Sequence, residues 1–98
     1  MQTLYQHLLT APVTTSCLRE VDVDGGYLEL ITGEYGLTVT PEIGEHGVVP
    51  GKYSALTFRE LDGERVFGHL TNILDYYWYT ELTPNELVDV FVQLTKLS

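Results

Sequence analysis

A single cysteine, Cys17, among 98 residues excludes an intramolecular disulfide, so the fold has to rest on its core alone. Cations are almost as scarce. Five lysines and arginines stand against 14 acids, a formal charge of −9, and so few cannot line a groove that follows phosphates. Direct nucleic-acid binding and attachment to an anionic membrane surface are therefore not expected. No apolar run approaches the ~20 residues that cross a bilayer. The start of the chain, Met1-Gln-Thr-Leu-Tyr-Gln-His7, has no basic region leading into a long apolar one. These absences predict a cytoplasmic protein with no membrane partner.

Recognisable catalytic motifs are also missing. There is no glycine-rich phosphate loop, no nucleophile elbow and no Cys-x-x-Cys. Asp22, Asp24 and Glu29 fail the calcium-loop spacing, because the twelfth position counted from Asp22 is Gly33 rather than a glutamate. Glu42-Ile-Gly-Glu-His46 lies in a glycine-rich stretch without the helix that aims two ligands at one ion. Cys17 with His7, His46 or His69 would make a thiol–imidazole pair, but no local signature surrounds it, and a free cysteine is commonly a small buried hydrophobe. No catalytic residue, metal ligand or cofactor is assigned, and an enzyme is not expected.

What is present describes one globular domain. Hydrophobic residues make up 44% of the chain, and a chain of this size buries roughly 60–70% of its unfolded surface. Leu4, Tyr5, Leu8 and Leu9 recur at helical spacing over Thr3–Thr10, and Pro12 ends that helix. The β-branched run after Pro12 allows a first strand from as early as Thr14. Leu18–Val23 and Tyr27–Thr32 then flank Asp24-Gly25-Gly26, a tight-hairpin signal. In either two-residue register Val21, Val23, Leu28 and Leu30 share one face, and Glu20, Asp22, Asp24, Tyr27 and Glu29 the other.

Glu34–Thr40 alternates as a third strand ended by Pro41. Residues 41–51, with three glycines and two prolines, read as the longest loop, and Pro50-Gly51 suits a type II turn. Tyr53–Leu61 and Glu64–Leu70 form a hairpin on Asp62-Gly63, with Glu60 opposite Arg65 as a register device. Its presumed core face carries Leu56, Phe58, Phe67 and His69. Asn72–Thr80 reads as a strand by its aromatic content, although helical spacing fits as well. Thr83-Pro84-Asn85-Glu86 is a capping box, and Leu87, Val90, Phe91, Leu94 and Leu97 stripe the helix it opens. The predicted fold is α+β: an antiparallel sheet of four to five strands with a short N-terminal helix and an amphipathic C-terminal helix on one face.

Seven acids between positions 20 and 45, Glu20, Asp22, Asp24, Glu29, Glu34, Glu42 and Glu45, are interrupted by no lysine or arginine. Alternate strand positions lie ~7 Å apart, so Glu20, Asp22 and Asp24 would form a regular negative row. A solvated strand face explains such a row without any function; a basic groove on another protein would accept it. Tyr76, Tyr77, Trp78 and Tyr79 are four aromatics in succession, more than either periodicity can bury, and exposed aromatics are typical interface anchors. The expected function is that of a small acidic binding module. Its partner-binding residues are Glu20, Asp22, Asp24, Glu29, Glu34, Tyr76, Tyr77, Trp78 and Tyr79, and its partner is a protein with a basic, nucleic-acid-handling surface. Anti-restriction and anti-CRISPR inhibitors from phages and other mobile elements share this size and charge, an analogy carried by no motif. An immunity protein or antitoxin against a basic toxin asks for the same properties. A self-assembling subunit, in which the Tyr–Trp stretch pairs with its own copy as a homo-oligomer, is the third expectation.

Overall fold

The computed structural model describes residues 1–67 and 78–97. The chain folds as α+β, with both terminal helices against one face of an antiparallel sheet. Helix α1 (Gln2–Thr10) buries Leu4 and Leu8. The β-branched residues that follow Pro12 do not start a strand; they form a second short helix, α2 (Pro12–Thr15). A helix leaves its last carbonyls without donors of its own. Here the Thr14 hydroxyl donates to the Leu8 carbonyl at 2.6 Å and the Thr15 hydroxyl to that of Leu9 at 2.7 Å. Those threonines are occupied in closing α1, and the sheet begins only at Leu18.

Strands β1 (Leu18–Asp22) and β2 (Tyr27–Thr32) pair with Val21 opposite Leu28 and Asp22 opposite Tyr27, the expected odd-sum register. Their connection is wider than a two-residue turn. An Asp22 carboxylate oxygen accepts the Gly25 N–H at 2.8 Å, closing a loop over Val23–Gly26 in which Gly26 takes φ 72°. The aspartate side chain substitutes for a backbone acceptor, as in an Asx turn.

Strands β3 (Tyr35–Gly44) and β4 (Gly47–Leu61) overturn the expected loop over 41–51. Pairing of β3 to β2 ends at Val39, and pairing of β4 to the strand Trp78–Leu82 ends at Tyr53, opposite Pro41; beyond these β3 and β4 continue as a ribbon, with Ile43 opposite Val48 and Gly44 opposite Gly47. Pro41 does not end β3, because beyond Val39 no β2 neighbour needs its missing N–H. Pro50-Gly51 is absorbed as an irregularity within β4 rather than as a turn between strands, with Gly51 at φ 74°. Composition marked the irregularity and misjudged its scale.

Strand β5 (Glu64–Phe67) pairs with the last four residues of β4 across Asp62-Gly63, in the expected register of Glu60 with Arg65 and Phe58 with Phe67. Strand β6 (Trp78–Leu82) pairs with Tyr53, Ala55 and Leu56 of the same strand. Two strands thus share one edge of β4, which brings the described sheet to six strands rather than four or five. The strand expected over 72–80 is seen from Trp78; its earlier part lies outside the described residues. Helix α3 (Pro84–Thr95) opens with both halves of the capping box, the Thr83 hydroxyl accepting from the Glu86 N–H and the Glu86 carboxylate from the Thr83 N–H.

The pleat sorts the sheet into two faces. Leu28, Leu30, Leu37, Val39 and Ala55 meet Leu4 and Leu8 of α1 and Leu87, Val90, Phe91 and Leu94 of α3 in one continuous core. Phe58 and Phe67, taken from the sequence as core-facing, lie on the opposite face: Phe58 is fully buried there, outside the main cluster, and Phe67 is exposed. The error has a simple source. Hairpin pairing fixes which residues share a face but not which face the helices cover.

Candidate functional site

The predicted acids divide into two classes. Glu29 does not belong to a solvated row, because its side chain is only 1% exposed and is gripped by Arg65. One guanidinium nitrogen of Arg65 donates to Glu29 Oε2, the other to Oε1 at 2.7 Å, and its Nε donates to Glu60 at 2.9 Å. The Tyr27 hydroxyl donates to Glu29 Oε2 at 2.9 Å. The same guanidinium lies 4.3 Å from the centre of the Phe58 ring, a cation–π stack. Arg65 hydrogen bonds, opposed by burial and helped by Tyr27, hold the Glu29 carboxyl below its ordinary range.

This clamp joins β5 to β2 over the intervening strands, three spacings or ~14 Å. Glu60–Arg65 is therefore more than a register device. Glu34 is likewise engaged, by Arg59 at 2.9 Å, although both side chains remain well exposed. Arg59 also lies 5.4 Å from the centre of the Tyr35 ring.

Glu20, Asp22 and Asp24 form the second class. All three are exposed and make no ion pair with the described residues. The nearby Arg19 folds back on the backbone, donating to the Ser16 carbonyl at 2.6 Å and to that of Leu18 at 3.2 Å. The acidic edge of the sheet thus keeps its charge, while two of the five basic residues are committed to glutamates elsewhere.

Tyr76 and Tyr77 lie outside the described residues. Trp78 is 62% exposed. It lines a shallow hollow of about 190 Å³ with Thr38, Thr40, Ser54, Ala55 and Leu56. Tyr79 alternates to the other face and packs, half-buried, against the core. By register Trp78 shares the sheet face of Asp22, since Leu56 opposes Trp78 and Asp22 opposes Tyr27. The two stand at opposite sides of it, β1 and β6 being four spacings or ~19 Å apart.

No protein-family model matches the chain, and no curated protein or solved structure matches it.

Sequence reasoning missed a second surface at the acidic end. Ile43 and Val48, opposite each other near the ribbon tip, are 64% and 61% exposed. At the base of the ribbon, between the β1–β2 turn and the bend of β4, lies a hollow of about 260 Å³ whose lining includes Asp24, Val23, Val49, Pro50 and Lys52. The adjacent β-branched pair Val48-Val49 was the available signal, and reading the stretch as a loop concealed it. Glu42 braces this end: it accepts hydrogen bonds from the Ser54 hydroxyl and, at 3.1 Å, from the Glu81 N–H. Those bonds, Ser54 first, lower its pKa.

Other chemistry is sparse. Among the described residues no group of three or more His, Cys, Asp or Glu side chains is gathered to hold a metal ion. No described helix is long and apolar enough to cross a membrane. Cys17 is a half-buried free thiol, 3.9 Å from the Ser16 hydroxyl.

Proposed function

We propose that this protein is a small acidic binding module that acts by occupying the basic, nucleic-acid-handling surface of a partner protein. The observation that carries the reading is the uncompensated edge: Glu20, Asp22 and Asp24 stay exposed while Arg59 and Arg65 neutralise other glutamates and Arg19 turns away. A group of exposed carboxylates of this kind steers encounter with a cationic surface. Glu29, buried under Arg65, leaves the contact set and becomes structural, while Glu34 stays exposed beside Arg59, so the partner-facing acids are Glu20, Asp22, Asp24 and Glu34. The reading places the protein in the cytoplasm, where a lone thiol such as Cys17 stays reduced.

The test is competition. A partner recovered from the source cell is purified and loaded with a fluorescent oligonucleotide, and the protein is titrated in. Displacement of the oligonucleotide at stoichiometric protein is the expected result. A stable ternary complex, in which the oligonucleotide stays bound, contradicts the proposal.

A further inference from the structure

We infer that the tip of the β3–β4 ribbon is the anchor of the interface, inserting Ile43 and Val48 into an apolar cleft of the partner whose rim carries lysine or arginine. The inference rests on the binding-module reading and replaces its expected aromatic anchor.

Three features of the ribbon support it. First, Ile43 and Val48 are cross-strand neighbours, each more than 60% exposed, on a projection that leaves the sheet beyond the Pro41–Tyr53 pair. Paired β-branched side chains have few rotamers to lose on insertion. Second, the tip is shaped by the backbone rather than by core packing. Gly47 takes φ 101°, and a Cβ on Gly44 would stand 3.1 Å from the Val49 side chain. Third, each strand of the ribbon carries a proline, Pro41 in β3 and Pro50 in β4. Proline blunts an edge against strand addition, so the ribbon engages through its side chains and not by extending a partner's sheet.

Charge chooses the occupant. Glu45 sits in the turn at the tip and Asp24 at the ribbon's base, with Lys52 in the same hollow and His46 beside Glu45. A second copy would bring another formal charge of −9 and its own Glu45 to the same place. A cleft with a cationic rim complements the acids and buries the apolar pair. The hollow at the base adds Val23, Val49 and Pro50 to the apolar surface available to a partner.

The experiment places a photo-crosslinking p-benzoylphenylalanine at His46 of the full chain in its source cell. The crosslinked protein is identified, purified and titrated against wild type, the double variant Ile43→Ser/Val48→Ser, and the triple variant Glu20→Gln/Asp22→Asn/Asp24→Asn. Circular dichroism checks that each variant is folded; both substituted ribbon positions are exposed, so no core contact is lost. The expected result is a crosslink to a protein with a basic surface, and an affinity that falls about 10- to 100-fold in the ribbon variant, through faster dissociation. A loss below about twofold, a crosslink only to a second copy of this chain, or no crosslink from the tip overturns the inference. The outcomes are separable from those of the parent reading. If the acidic variant associates as fast as wild type while the ribbon variant is weakened, the anchor stands and the acidic steering fails.

Discussion

Replacing Arg65 with Met is expected to destabilise the fold by about 3 kcal/mol in urea titration, the low end of what removing one partner of a buried ion pair costs. The cost arises at Glu29, whose carboxylate is 1% exposed and loses both guanidinium contacts at once. The low end applies because Arg65 itself is 31% exposed and water can follow it out. Replacing Glu29 and Arg65 together by Leu and Met should recover most of the loss, since a matched apolar pair leaves no orphaned charge. A double variant as unstable as the single one would contradict this account of the clamp.

Acid should bring the wild type and Arg65→Met closer in stability. In the wild type the folded-state pKa of Glu29 is depressed, chiefly by the Arg65 hydrogen bonds. Stability from this group is therefore fully present above the unfolded glutamate pKa of about 4.3 and is lost as pH falls through the lower folded value. In Arg65→Met burial acts on the carboxyl without a cation and raises its pKa. That variant recovers relative to wild type as the pH drops from 7 towards about 5, so the stability gap narrows on acidification. A gap that is constant with pH would show that Glu29 is not the seat of the loss.

Gly36→Ala is expected to cost about 2–3 kcal/mol, which is large for one methyl group and typical of overpacking. Gly36 faces Phe58 across the β3–β4 pairing. A Cβ there would overlap the tip of the Phe58 ring, with Cε1 and Cε2 each 2.8 Å away. The ring cannot simply withdraw. Phe58 is fully buried, with the Arg65 guanidinium 4.3 Å from its centre and the Phe67 ring 5.6 Å away. Adding Phe58→Leu to Gly36→Ala should therefore cost less than the sum of the two single changes, measured as a double-mutant cycle by thermal or urea unfolding. Strict additivity would mean that the two residues do not share this space.

These two predictions concern a feature that the sequence showed only in pieces. The Glu60–Arg65 pairing was legible, because Asp62-Gly63 sets a two-residue turn and therefore the register. That Arg65 also reaches Glu29 was not, since the contact depends on the order of the strands in the sheet. The capping box at Thr83 and the stripe from Leu87 to Leu94 were read correctly because they are local and periodic. Thr14 and Thr15 misled by intrinsic preference: β-branched residues read as strand, whereas hydrogen bonds to the α1 carbonyls decided their conformation. Pro41 and Pro50 read as breakers because both also occur in turns, and only their place beyond the last β2 partner makes them compatible with strands. Of the expected acidic contacts, Glu20, Asp22, Asp24 and Glu34 remain exposed, Glu34 beside Arg59, while Glu29 was claimed by Arg65, an arginine distant in sequence.

The clamp and the acidic edge are complementary uses of a short supply of cations. Arg59 and Arg65 neutralise glutamates on or beside the sheet, while Glu20, Asp22 and Asp24 at β1 and its turn stay exposed with no ion pair among the described residues. Measuring the association rate with the purified partner as a function of salt, for wild type and for Glu20→Gln/Asp22→Asn/Asp24→Asn, tests this most directly. Wild type should slow by about tenfold or more between low and high salt, and the variant should start slow and depend on salt much less. Identical rates and identical salt dependence for the two proteins would contradict the claim that these carboxylates steer binding.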